Sequence, residues 1–249
     1  MPRRRLIAAA ATGVLALVAL TGCRFETGAD AAYVGNTRFT NQAIDTTISQ
    51  LKKNGANIGN EAGLRQQIAA DEVFVEVAKR YSIEKGFPAP TDDANSLAQS
   101  FAQGNGLPAN DSYIQLAATT QAYVDLLTDK ATAGKVTDAD YRDAFNLLVN
   151  QQAAGPSDFQ SVKQALQSQF ATQLGKSVTV RNELTDAMKR YNVSLNPRYE
   201  PASVVLATVP TQSGQDLAVA QLTIAGRGGG LPVVDLTPTV APSDQPAQQ

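Results

Sequence analysis

From Thr40 to Tyr191, apolar residues recur at spacings of three and four, and Gly or Pro interrupts them at short intervals. That period belongs to helices with one buried face, so the chain must stack several helices around a shared core. Thr40 offers an N-cap to a first helix carrying Ile44, Ile48 and Leu51 and ending near Gly55. A second helix is expected from about Glu61 to Lys85, with Gly86 just past its end and Pro88 beyond. Val73, Phe74, Val75, Val77 and Ala78 make it apolar nearly all round, which predicts a central, buried helix. Thr91 caps a third helix bearing Leu97 and Phe101 and stopped by Gly104. A fourth spans Ser112 to Ala133 with Tyr113, Leu116, Ala117, Val124 and Leu127 on one face, and Gly134 closes it. Thr137-Asp138-Ala139-Asp140 opens a fifth as a capping box with Asp in the Glu place. Tyr141, Phe145, Leu148 and Val149 form its face, and Gly155-Pro156 breaks it. Ser157 caps a helix through Phe159, Val162, Leu166, Phe170 and Leu174, and the period resumes after Gly175 as far as Tyr191. This predicts one long or kinked helix.

Small β pieces flank the helices. Gly35-Asn36 is a two-residue turn between Tyr33-Val34 and Thr37-Arg38-Phe39, the signature of a hairpin over Ala31–Phe39. Ser203 to Val209 reads as a strand, and Leu217 to Ile224 as a possible second. A lone hairpin is marginal, so a third strand near Val204 is expected to join it. The folded body is placed at residues 31–209, with an extra strand or loop over 210–225. Residues 226–249 are Gly-, Pro- and Gln-rich with few apolar side chains, which predicts a disordered tail. The fold class is therefore mainly α, with a small β-hairpin or sheet formed by the two ends of the body.

The 249 residues contain no His and one Cys. Without His there is no Ser-His-Asp or Cys-His site, no ordinary zinc site and no imidazole base. A single Cys forbids an internal disulfide. The net charge of −2 gives no reason to expect nucleic acid. The commonest catalytic groups are missing, so the chain is read as a non-enzyme without cofactor or metal.

The Cys sits in a telling place. Arg3, Arg4 and Arg5 precede an apolar run from Leu6 to Leu20, too short to span a bilayer, and Leu20-Thr21-Gly22-Cys23 follows. This order resembles a bacterial lipoprotein signal with its lipobox, which implies cleavage before Cys23 and acylation of its thiol. Two or three acyl chains, at roughly 0.8 kcal/mol per buried CH₂, anchor a protein stably. The expected location is the extracytoplasmic face of the cell membrane, with the bilayer as partner through acylated Cys23. Removing residues 1–22 takes away three Arg and no acid, so the net charge falls from −2 to −5 and lipid, not charge, holds the protein. Cys23 to Asp30 reads as the lipidated Cys and a short tether, with roughly 25 Å of reach.

Other motifs fall short. Gly175-Lys176-Ser177 matches the end of a phosphate-binding loop, but Phe170 stands where its first Gly belongs. Asp138, Asp140 and Asp143 resemble part of a calcium loop, but Arg142 occupies a ligand position and the required Gly is absent. Their better reading is helix-start chemistry, as for Asp92 and Asp93. Asp125 and Asp129 lie one turn apart on a solvated face. Phe74, Phe101, Tyr123, Phe145, Phe159 and Phe170 fall at helical spacing and are read as core, with a groove for apolar chain segments as the alternative.

Four stretches carry a family resemblance. Tyr33 to Thr40, followed by Ile44, Ile48 and Leu51, is similar to the opening of SurA-like and PrsA-like foldases. Asn192-Val193-Ser194-Leu195-Asn196-Pro197-Arg198-Tyr199-Glu200 resembles the closing element of SurA-N-like lipoproteins. Val136 to Tyr141 and Phe159 to Leu166 resemble the helices that flank the catalytic domain in foldases. The turn reads Gly-Asn instead of Asn-Gly, and Glu200 replaces a Gly. The resemblance covers roughly 31–199 and implies a SurA-N-like helical domain. Only a short linker lies between Val149 and Phe159, so it implies the chaperone module without the prolyl isomerase. The expected function is chaperone-like binding of unfolded or secreted polypeptides, and the alternative is a non-catalytic scaffold or partner-binding lipoprotein of the envelope.

Overall fold

The computed structural model describes residues 29–155, 158–211 and 214–224. Among these the protein is mainly helical, with seven α-helices and two small antiparallel sheets. The expected tail, residues 226–249, and the Ser157 cap lie outside the described residues.

Strands β1 (Asp30–Val34) and β2 (Thr37–Thr40) form the expected hairpin, and Gly35 takes the left-handed φ of +60° that the tight turn needs. Asp30 therefore belongs to the fold and not to the tether. Helix α1 (Asn41–Lys53) starts at Thr40, whose hydroxyl accepts from the Ala43 N–H, and buries Ile44, Ile48 and Leu51.

Helix α2 (Glu61–Lys85) ends at Gly86, with φ of +72°. Of the residues that predict burial all round, Val73, Phe74, Val77 and Ala78 are fully buried, while Val75 is half-buried.

Helix α3 (Thr91–Asn105) differs at both ends. Pro90, not Thr91, is the N-cap, and Gly104 lies inside the helix while Gly106 takes the left-handed turn. Nothing crowds Gly104, so the helix loses only propensity there and continues. Helix α4 (Ser112–Lys130) is capped by Asp111 and stops three residues before Ala133.

Helix α5 (Asp138–Asn150) opens on the predicted capping box: Thr137 and Asp140 each bond the other's backbone N–H. The expected long helix from Phe159 is two helices, α6 (Phe159–Gln169) and α7 (Ala171–Arg190). The break falls at Phe170, whose backbone leaves the helical region while its ring packs half-buried on the core. Gly175, in contrast, sits inside α7 and is buried there. A Cβ on it would come within 2.7 Å of the Gly134 carbonyl oxygen, and the Gly134 N–H donates to the Gly175 carbonyl at 3.1 Å. This glycine lets the connection after α4 cross the helix closely.

Strand β3 (Val193–Leu195) pairs antiparallel with β1, giving the order β2-β1-β3. The two ends of the body do meet, but the third strand is β3 and not the segment near Val204. That segment, β4 (Ala202–Pro210), pairs instead with β5 (Asp216–Ile224) as a separate two-stranded sheet. A 3₁₀ turn over Pro197–Tyr199 separates β3 from β4 and prevents one continuous strand. Val204, Leu206, Leu222 and Ile224 all enter the main core, so the body runs to Ile224 instead of ending at Val209.

Two substitutions test this packing. Leu222→Ala should lower the unfolding free energy by about 2–4 kcal/mol in urea denaturation, because it empties a core site that a dispensable loop would not occupy. Gly175→Ala should lower it by about 1–3 kcal/mol, although Ala is the better helix former, because the added methyl meets a backbone carbonyl.

Candidate functional site

The lipobox residues Leu20, Thr21, Gly22 and Cys23 lie outside the described residues. Among the described residues the first element is β1, which starts six residues after Arg24 and is the middle strand of its sheet. No described helix is long and apolar enough to cross a membrane.

Polar groups inside the body fall into a few clusters. In the first, Asp30 accepts from Tyr33 Oη and from Arg38, and these contacts outweigh burial to hold its carboxyl below the ordinary range. In the second, Asp140 accepts from Thr137 and from Arg181 of α7, which also reaches Asp143 at 3.3 Å. Burial works to raise the Asp140 carboxyl, but the bonds from Thr137 and Arg181 prevail and lower it. In the third, Asp71 and Glu72 stand side by side in the middle of α2. Asp71 is 3% exposed and accepts from Gln67 Nε2 at 2.9 Å. Glu72 Oε2 is buried without a hydrogen-bond partner. Burial pushes each carboxyl up to about 7, and Gln67 only partly offsets this for Asp71. Tyr113 of α4 lies near Asp71, and burial together with the Asp71 charge raises its phenol.

The motifs singled out from sequence resolve into structural roles. Ser177 is fully buried and donates to the carbonyls of Gln173 and Leu206, so it serves the contact of α7 with β4. Asp138 accepts from Lys163 at 2.8 Å, tying α5 to α6, and Asp140 and Asp143 hold Arg181. Asp92 and Asp93 are exposed in the first turn of α3, and Asp125 accepts from Gln121. Among the described residues, no group of three or more acidic, Cys or His side chains is placed to hold a metal.

The aromatic stripe mostly turns inward. Phe74, Tyr123 and Phe145 are buried, and Phe101, Phe159 and Phe170 are half-buried against apolar clusters. Phe159 packs edge-on against Phe145 at 5.5 Å, and the Arg142 guanidinium lies over the Phe159 ring at 4.5 Å. Among the described residues, the large hydrophobic side chains left exposed are Ile83 and Val205. Comparisons of the chain with family models, curated proteins and solved structures found no match.

Asp71 and Glu72 escape motif reading because each acid taken alone fits a helix. Their signal is position: they interrupt the apolar run from Ile68 to Val75, just before the part of α2 expected to be buried all round. A second contact without a sequence signature is Gln151. Its amide donates to the Ala218 carbonyl at 2.9 Å and accepts from the Ala218 N–H at 3.0 Å, filling the place of a neighbouring strand beside β5.

The acid pair sets a pH dependence. A carboxyl whose folded pKa is raised stabilises the fold below its unfolded pKa, and that contribution is lost as pH rises through the folded value. Asp71 and Glu72 thus destabilise progressively from about pH 4 to about pH 7. Asp30 and Asp140, held low, work the other way and lose their contribution only as pH falls below the ordinary carboxylate range. Urea midpoints should therefore be higher at about pH 5.5 than at about pH 8. Asp71→Asn should shrink that difference and raise stability at about pH 8 by about 2 kcal/mol.

Proposed function

We propose that this protein is a lipoprotein anchored through acylated Cys23 to the extracytoplasmic face of the cell membrane, where its helical body acts by binding. The observation that carries the anchor is the sequence order at the N-terminus: three Arg, a short apolar run, then Leu20-Thr21-Gly22 and the one Cys of the chain. The body starts at Asp30, so a link of six residues would hold it within roughly 20 Å of the bilayer surface. Metabolic labelling with a palmitate analogue should mark the wild-type protein and not Cys23→Ser, and the variant should leave the membrane fraction. Equal membrane partitioning of both would overturn the anchor.

Two binding modes fit such a body. The resemblance of its two ends to SurA-like foldases supports a chaperone-like role toward unfolded or secreted chains. That role needs an apolar surface open to the client, because burial of its apolar side chains drives the association. The inward turn of the aromatic stripe and the exposure of only Ile83 and Val205 as large apolar side chains among the described residues favour the other mode. In it, the body engages a folded envelope partner through a largely polar surface. An aggregation assay with a reduced, unfolded client separates the two. The folded-partner mode predicts no suppression at molar excess, together with recovery of a discrete partner by in-cell crosslinking. Suppression at stoichiometric amounts would restore the chaperone reading.

A further inference from the structure

We propose that the end of α2 around Ile83 is a docking surface for a folded protein partner that offers an apolar pocket with acidic side chains at its rim. The inference rests on the folded-partner reading above and gives that reading a place on the body. Ile83 is 69% exposed, more than any other large hydrophobic side chain among the described residues. The remaining large apolar side chains of α2 are buried or half-buried, so the helix is not loosely packed. A single exposed Ile is ordinary on a protein surface, and its surroundings are what set this one apart.

The acids near Ile83 are already engaged. Glu84 accepts from Arg190 at 3.2 Å and from the Tyr191 hydroxyl, both at the end of α7. Glu76 accepts from Arg80, and Glu183 of α7 from the Tyr81 hydroxyl. Two cations are left over. Lys79 stands one helical turn before Ile83, on the same side of α2, and Lys85 two residues after it. Both are exposed and form no ion pair among the described residues, and Lys85 rests over the Tyr81 ring at 5.3 Å. The rim of Ile83 thus keeps unpaired positive charge on a body that is acidic as a whole. A local reversal of sign favours an acidic partner surface and repels a basic one, while burial of the central apolar side chain holds the complex. Position adds to this. The chain enters β1 at Asp30 and reaches the Gly35 turn about 15 Å away. A Cβ on Gly35 would lie 3.0 Å from Arg80 Nη1 and 3.4 Å from the Tyr191 carbonyl oxygen, so the ends of α2 and α7 gather at that turn. The surface therefore sits at the end of β1 opposite the link to Cys23, where an anchored body presents it to other envelope proteins. Val205, the other exposed large apolar side chain, lies on a strand without any charged residue, so no charge there selects a partner.

The test uses the full chain in the cells that natively produce it. The photoreactive amino acid p-benzoylphenylalanine replaces Ile83 and, in separate strains, the exposed controls Gln99 on α3 and Val205 on β4. Irradiation should give one discrete heterologous adduct from position 83 and none from the controls. Lys79→Glu with Lys85→Glu should lower its yield at least about fivefold at equal protein level, and Lys79→Arg with Lys85→Arg should keep it. Both pairs of substitutions lie at exposed positions, and unchanged urea midpoints would show that each variant folds. An adduct of twice the chain's mass, an adduct equal from all three positions, or one that survives the charge reversal would overturn the proposal. A discrete adduct from position 99 or 205 but not from 83 would overturn it and leave the folded-partner reading standing. No adduct from any position would count against both.

Discussion

The structure depends on the burial of α2. Val73, Phe74, Val77, Ala70 and Ala78 are closed off from solvent, and α4, α7, α1 and both sheets pack around them. A helix packed by so many elements cannot shed its apolar surface to water without separating several of them at once, so its burial couples the whole body. The same position explains why a pair of acids there matters. On a solvated helix, Asp71 and Glu72 would be ordinary; inside α2, each must take a proton, find a partner or draw in water.

The second constraint is closure of the chain ends. β1 lies between β2, its neighbour in sequence, and β3, roughly 160 residues later. Asn196 fixes that meeting. Its Nδ2 donates to the Asp30 carbonyl and its backbone N–H to the Ala31 carbonyl, both below 3 Å. Tyr199 reaches from the 3₁₀ turn to Asn41 at the start of α1. The hairpin, marginal alone, thus becomes a three-stranded sheet whose loss would free both the first helix and the end of the helical body. An anchor attached just before β1 would pull on the middle strand of this sheet, where hydrogen bonds on both sides share the load.

Much of this was legible in the residues. Caps and stop signals located α1 and α2 within a residue or two, because Thr40 and Gly86 act on their immediate neighbours. The capping box at Thr137 was visible for the same reason. Where the reading failed, the cause lay outside the local window. The break at Phe170 falls inside a continuous apolar period, and only the packing of that ring on the core ends α6 there. At Gly175 the period only pauses in the sequence, and a window of sequence cannot see the connection after α4 arriving beside it. Val204 was offered to the wrong sheet because strand pattern fixes which side chains point inward, not which edge they pair with.

By itself the sequence determined the helical class, the order of the main elements and most boundaries, since each rests on periodicity, capping or residue order over a few positions. Only the tertiary structure decided which strands pair, that β4 and β5 belong to the main core, and that the aromatic stripe turns inward. It also decided that Asp71 is buried near Tyr113 of α4 and that Glu72 Oε2 is closed off from water. These outcomes depend on contacts between residues distant in the chain, and the free energy of a charge or a ring is set by what surrounds it, not by its neighbours in sequence.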